Sequence, residues 1–459
     1  MQTNNNKTVR LIIGALCCIF LCCLLSSCKK YLDKKSDNSL ITPKTLDDLQ
    51  ALLDDNIYMN ANTPGFGESC ADDYFDQTSV YNSIDVQSQQ VYIWNLKIYN
   101  GPTNDWSANY HVIHTANFCL DQLSTIPKNP ANETAWNNVK GSALFFRGYY
   151  YLGLTWDYAK AYDDATSSTD PGIVLRSGSD FKAVSTRASV AESYKQVISD
   201  LEEAGLYLQP KVPQPMRPSK VAAYGALART YLSMRKYDSA FKYADAALHI
   251  KNDLLDYNSS QVDPSSYVPF TPFNKEMIFY STQSGNYTTK LYFYGSIDTT
   301  LLATYDSNDL RNQVFFFPYN NYYGFKGDYA ATLYPPFSGI ATDELFLIRA
   351  ECSVRLGNVA AAMNDLNSLL TNRYTIGTFI PLQITNQDDA LAKVLLERRK
   401  ELLMRGLRWI DIKRLNKENY NITPTRVIGS QTYTLAPNSS YYALPLPDDV
   451  VKETGIVQN

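Results

Sequence analysis

Histidine is nearly missing from this chain: there are three in 459 residues. Only His111 and His114 lie within one helical turn of each other, and no third ligand follows them closely. No cysteine pair has the spacing of a zinc site. Cysteine itself is sparse beyond the first segment. After Cys28 only Cys70, Cys119 and Cys352 remain, an odd set that makes no disulfide framework and reads as small buried hydrophobes. An excess of positive charge is also lacking. With 42 Lys and Arg against 46 Asp and Glu, the net charge is −4, which leaves no broad basic face and argues against nucleic acid as a partner. No phosphate-cradling glycine motif is present. Asp306-Ser307-Asn308-Asp309 lacks the glycine and the distant glutamate of a calcium loop. Gly67-Glu68-Ser69-Cys70-Ala71 is one glycine short of a nucleophile elbow and reads as a loop. No metal and no cofactor is expected.

What is present begins with an export signal. Lys7 and Arg10 precede an uncharged apolar run from Leu11 to Leu25, shorter than the roughly 20 residues that span a bilayer, so a cleaved leader over 1–27 is expected. Leu25-Ser26-Ser27-Cys28 resembles the lipobox of bacterial lipoproteins, in which small residues let the peptidase close on the chain and the thiol takes a diacylglyceryl group before cleavage. Cys28 is thus the expected lipidation site and new N-terminus. Several acyl chains there would hold the protein stably on a membrane.

Tyrosine is the compositional outlier, with 35 residues beside 19 Phe and 5 Trp. Many of these tyrosines sit in polar, turn-rich stretches, where a ring with one polar tip suits a binding surface. Elsewhere the period is helical. Tyr110, Ile113, Asn117 and Leu120 mark a helix over 106–123, and Val139, Ala143, Phe146 and Tyr150 mark another over 136–158. Further helices are expected over 186–208 and 389–415. From Lys220 to Ile250, Tyr224, Leu227, Ala228, Tyr231, Ala240, Ala244 and Ala247 match the tetratricopeptide frame. A weaker copy runs through Phe346, Ala350, Ala362, Leu366 and Leu369, with Arg349 and Ser353 at sites that would ordinarily be Leu and Tyr. Glu397-Arg398-Arg399-Lys400-Glu401 has the spacing of ion pairs along a helix.

The expected fold is therefore mostly α: a tetratricopeptide-like helical-repeat scaffold with a loop-rich, Tyr-rich ligand-binding subdomain containing short strands. Residues 28–105 form a tether and loop-rich segment, and 106–253 the helical pairs. Residues 254–342 form the variable loop-rich part, and 343–459 the last helical pair with an irregular tail. The two loop-rich stretches are the candidate ligand surface, since loops on a rigid scaffold commonly carry function.

Several segments together resemble one family, the SusD/RagB-like nutrient-binding lipoproteins of Bacteroidetes. They include Lys29-Lys30-Tyr31-Leu32-Asp33 after the lipid cysteine and Phe146-Arg147-Gly148-Tyr149-Tyr150. Late in the chain come Asp343-Glu344-Leu345-Phe346-Leu347-Ile348-Arg349-Ala350-Glu351 and Gly406-Leu407-Arg408-Trp409-Ile410-Asp411, then the final Gln458-Asn459. Arg405 departs from the pattern, because an acid commonly precedes that glycine, and this puts a local salt bridge in question. The resemblance implies a non-enzymatic lid on a SusC-like TonB-dependent transporter, lipid-anchored in the outer membrane and facing outward. Such a lid captures oligosaccharide or peptide and hands it to the pore. Aromatic rings suit sugar faces, which makes Trp94 the leading candidate. Tyr92, Tyr74, Tyr81, Tyr319, Tyr322 and Tyr323 follow, with Asn320 as a polar partner. The alternatives are a surface glycosidase using paired carboxylates, for which Asp72, Asp73 and Asp76 are the first to inspect, and a structural adaptor without ligand.

Overall fold

Alanine spacing decides how the scaffold is built. The computed structural model describes residues 43–95, 104–284 and 294–459; the leader and Cys28 lie outside them. A first short helix, α1 (Leu46–Leu53), is capped by Thr45, whose side chain accepts from Asp48 N. Two long helices follow, α2 (Asp105–Leu123) and α3 (Glu133–Tyr158), and then α4 (Val190–Tyr207). The repeat itself is the pair α5 (Lys220–Ser233) and α6 (Tyr237–Ile250). Ala222, Ala223, Ala226 and Ala228 on α5 and Ala240, Ala244 and Ala247 on α6 are all fully buried. With only a methyl group at these places the two helices approach closely. Tyr231 and Tyr243 stack beside them, with ring centroids 5.6 Å apart.

The second pair, α7 (Thr342–Arg355) and α8 (Val359–Thr371), explains its departure from the repeat pattern. Arg349 reaches Asp365 on α8 at 2.7 Å and Asp245 on α6 at 2.8 Å. An ion pair thus fastens this pair to the preceding one where a leucine would have packed. Two helix expectations need correction. The helix expected over 186–208 starts at Val190, because Ser189 and Glu192 form a capping box and Arg187–Ser189 is a strand paired with Pro171–Val174. The helix expected over 389–415 is two, α9 (Gln387–Glu401) and α10 (Arg408–Asn416). Met404 and Gly406 between them have φ of 61° and 74°, a left-handed backbone that no α-helix accommodates. The tail is also more regular than expected, with a hairpin of Thr425–Ile428 and Gln431–Thr434 and a last helix, α11 (Asp448–Thr454).

Thr45–Asn459 packs as one unit with two cores. The larger lies among the helices. The smaller lies under the loop-rich part and is aromatic, with Tyr257, Phe270, Tyr305, Phe315, Tyr329 and Phe337 among its members. Buried charge surrounds it. Arg311 contacts Asp309, Glu397 and Glu401 at 2.7, 2.7 and 2.9 Å, and Arg373 contacts Glu276 and Glu401, both at 2.8 Å. Lys400 reaches Asp309 at 2.9 Å. Burial alone would raise the Glu397 carboxyl, but the charges of Arg311 and Lys400 outweigh it and hold it at about 2. The run 397–401 is thus an ion-paired element. Arg405 makes an ion pair of its own, with Asp343 at 2.7 Å, and its guanidinium lies 3.9 Å from the centre of the Tyr329 ring.

Cys70, Cys119 and Cys352 are buried free thiols. Gly67-Glu68-Ser69-Cys70 lies in a short buried helix, Phe66–Cys70, instead of the expected loop. No helix among the described residues is long and apolar enough to cross a membrane.

Candidate functional site

Asn320 and Asn321 both have positive φ, 45° and 65°, as a two-residue turn between twisted strands requires. They join strands Phe316–Tyr319 and Tyr322–Phe325, with Tyr319 opposite Tyr322 and Phe317 opposite Gly324. That register puts Phe317, Tyr319 and Tyr322 on one face. Gly324 completes it: a Cβ there would stand 2.5 Å from the Phe317 ring, so only glycine lets the ring lie flat across the hairpin. Phe316 and Phe325 face the other way into the aromatic core, which fixes the hairpin to the body.

The exposed face continues beyond the hairpin. Tyr267, 63 % exposed, meets Phe317 edge-to-face with centroids 5.3 Å apart. At the other end Tyr322, 37 % exposed, meets Phe75 at 5.0 Å and 87°. Gln77 donates its amide to the Asn320 carbonyl at 3.5 Å. The result is an aromatic stripe from Tyr267 through Phe317, Tyr319 and Tyr322 to Phe75, bordered by the amides of Gln77, Asn320 and Asn321. Edge-to-face packing holds each ring at a set angle. Ring faces with amides at their margin can stack on the C–H face of a sugar while bonding its hydroxyls.

Of the residues singled out from sequence, the structure groups Tyr319, Asn320, Tyr322 and Tyr323 at this hairpin. Tyr323 is 43 % exposed and, opposite Pro318, points to the face away from the stripe. Tyr81 is half-buried; its ring lies 5.8 Å from Tyr92, and burial, with Tyr433 nearby, raises its hydroxyl. Trp94, Tyr92 and Tyr74 are corrections, because all three are interior. Trp94 is 5 % exposed and its indole N–H donates to the Cys70 carbonyl at 3.1 Å. The three rings enclose the guanidinium of Arg426, whose centre lies 5.3, 4.4 and 5.0 Å from Trp94, Tyr92 and Tyr74 respectively. Arg426 also donates to the backbone carbonyls of Ala71 and Tyr74. A polar, aromatic-rich segment looks like surface until its cation arrives from a distant strand.

The carboxylates named for a glycosidase, Asp72, Asp73 and Asp76, are likewise drawn inward. Asp72 takes a bidentate bond from Arg408 at 2.6 and 2.9 Å, and Asp73 is bound by Arg399 at 2.7 Å. Burial would raise Asp72, but Arg408 and Arg399 hold it well below the usual carboxylate range. Asp76 is buried with neither oxygen hydrogen-bonded. Burial pushes it up to about 7, against the pull of Arg426. Sequence reasoning missed Tyr267, Phe75 and Gln77. The Asn-Asn turn with alternating aromatics could have predicted the hairpin and its faces; nothing local marked Tyr267, which reaches the stripe only through the tertiary fold.

A helical-repeat scaffold carrying an aromatic loop face defines a class of binding proteins. Two family models fit this chain: residues 30–232 match one described as starch-binding, associating with outer membrane, and residues 342–459 match the SusD family. Together they cover well over half of the sequence, one on each side of the loop-rich part, and the chain belongs to the SusD/RagB family. No curated protein sequence matches it. Among solved structures, a SusD superfamily protein from Bacteroides thetaiotaomicron superposes with a TM-score of 0.73 at 21 % identity, covering 90 % of this chain and 99 % of its own. A putative sugar binding protein from Bacteroides vulgatus gives 0.72 at 22 %, covering 91 % and 98 %. A SusD-like carbohydrate binding protein from the same species gives 0.66 at 21 %, covering 90 % and 97 %. The mostly helical, tetratricopeptide-like fold is that of these proteins.

Proposed function

We propose that the protein captures oligosaccharide on the aromatic stripe and delivers it to a SusC-like TonB-dependent outer-membrane transporter. The carrying observation is the stripe itself, in which Tyr267, Phe317, Tyr319 and Tyr322 present rings along one hairpin face with amides beside them. Tyr319, Tyr322 and Asn320 are the ligand residues retained from the sequence reading. Tyr81 and Tyr323 flank them, and Trp94, Tyr92 and Tyr74 give way to Tyr267 and Phe317. Binding without catalysis is the reading that Asp72 and Asp73 favour, since arginines occupy both carboxylates. Residues 254–342 carry most of the ligand face, and the helical pairs on either side of them are the surface for the transporter. Cys28 lipid tethers the whole to the outer membrane, facing outward.

A glycan and peptide array with purified protein tests the reading. Binding of one or more oligosaccharides, weakened about fivefold by Tyr322→Ala with folding intact, supports it; the loss corresponds to one aromatic contact of ~1 kcal/mol. Unchanged affinity removes the stripe from the site. An array with no glycan bound, or with peptides alone bound, overturns the ligand class. Cys28→Ala should release the protein from membranes, and its retention would refute the lipid tether.

A further inference from the structure

A second concavity lies away from the aromatic stripe, between α2 and the segment 174–185. It has a volume of about 220 Å³. Trp106 and Tyr110, with ring centroids 4.8 Å apart, form one wall. From the same helix His114 lies against Phe181 of the facing loop, 4.2 Å apart and only 30° from parallel, and both line the cavity. Ile113, Val174 and Val450 make the remaining lining mainly apolar. Phe181 is 81 % exposed, so this large ring is held over the mouth with most of its surface in solvent.

The polar groups of the lining are nearly all committed elsewhere. Tyr110 donates its hydroxyl to the Val174 carbonyl at 2.6 Å. Asn117 donates to the Arg176 carbonyl at 2.9 Å and accepts from Arg147 at 2.9 Å. A ligand with many hydroxyls would therefore bury groups without partners, which disfavours it. Arg176 differs. Its guanidinium donates to the Ala183 and Asp180 carbonyls and to the Ser185 hydroxyl, all oxygens of its own loop. Those bonds fix its orientation, yet none neutralises it, and among the described residues no carboxylate forms an ion pair with it. Of the neighbouring acids, Asp121 accepts from the Ser179 backbone N–H and hydroxyl at 2.8 and 2.7 Å, and the Asp180 carboxylate accepts from Lys182 N at 2.8 Å.

We propose that this cavity is a second ligand site, for a small aromatic carboxylate whose ring lies between the Trp106 and Phe181 walls and whose anion meets Arg176. The volume is below the ~300 Å³ of ordinary drug-sized pockets, which limits the occupant to one ring with a short acidic arm. The site shares no residue with the stripe and does not depend on it.

The test uses the detergent-solubilised full chain and ligand-observed NMR titration with three probes: phenylacetate, benzyl alcohol and glucuronate. Phenylacetate should saturate with a Kd of about 1 mM or tighter. Benzyl alcohol, with the ring and no charge, should bind about tenfold more weakly, as the loss of one charge-assisted contact implies. Glucuronate, with the charge and a hydroxylated ring, should not compete. Phe181→Ala, at an exposed side chain, should weaken phenylacetate severalfold with an unchanged melting temperature, and Arg176→Gln should erase its preference over benzyl alcohol. Tyr322→Ala should leave phenylacetate binding as it is. Failure of phenylacetate to saturate, equal binding of benzyl alcohol, effective competition by glucuronate, or full affinity in Phe181→Ala would each overturn the proposal.

Discussion

The two cores of this protein solve the same packing problem with opposite materials. Between α5 and α6 the seam is alanine, and stability there comes from backbones brought close, with little room for error. Beneath the loop-rich part the seam is aromatic and ionic, with Tyr257 against Arg373 at 4.2 Å and Tyr305 between Arg311 and Lys400. Irregular backbone cannot supply a helix-like stripe of methyl groups. It can supply large rings, and charges in the interior that find partners from several segments at once. The helical core depends on size and the loop core on completeness, so the two should fail differently.

The largest effect is expected where completeness is broken. Arg373→Met leaves Glu276 and Glu401 buried beside an apolar group and should cost about 3–5 kcal/mol, read as a lower denaturation midpoint in urea. In the helical core the corresponding break is oversize. Ala244→Leu should cost about 1–3 kcal/mol by forcing α5 and α6 apart, measured in the same way. A cost from Ala244→Leu exceeding that from Arg373→Met would reverse the comparison.

Titration sharpens it further. Glu68 is buried, with one oxygen accepting from Gly406 N at 2.6 Å and the other unbonded. Burial, with Asp73 nearby, pushes it up to about 8. The folded protein thus keeps a proton that the unfolded chain releases near pH 4. Stability should fall as pH rises from there to about 8 and then level. Glu68→Gln should match wild type near pH 4 and exceed it at pH 8 in denaturant midpoint; equal midpoints at pH 8 would show the carboxyl to be ionised. At the surface the effects on folding shrink. Tyr322→Ala should change stability by less than about 0.5 kcal/mol while lowering glycan affinity. Asn321→Gly, at a turn position of positive φ, should be within about 0.5 kcal/mol of neutral by thermal unfolding.

The same contrast explains what could be read from the chain alone. Helical pairs announce themselves because each contact repeats at a fixed short spacing, and α2, α3, α5 and α6 lie where Tyr110, Val139, Tyr224 and Ala240 put them. Ends were less legible: α4 starts at Val190 because Ser189 and Glu192 form a capping box and Arg187–Ser189 pairs with Pro171–Val174 earlier in the same connection. The loop half resists local reading for a physical reason. Trp94, Tyr92 and Tyr74 have the composition of a binding surface, and only Arg426 turns them into an interior. Asp73 likewise becomes structural through Arg399 and Arg408. Conversely Tyr322 stays exposed and Tyr319 half-exposed because the Asn320-Asn321 turn carries them clear of the aromatic core on which Phe316 and Phe325 pack.

Arg426 also sets an order of events. A chain delivered N-terminus first presents Tyr74, Tyr92 and Trp94 early, and they stand as an empty box until residues 425–434 follow. Asn459, which donates to the Tyr158 and Leu444 carbonyls and accepts from Arg187, arrives later still. Contacts of such long range form late and slowly. The helical pairs can assemble as they appear, but the loop face reaches its working shape only when the final stretch is in place, so a truncated chain would carry its scaffold without a finished surface.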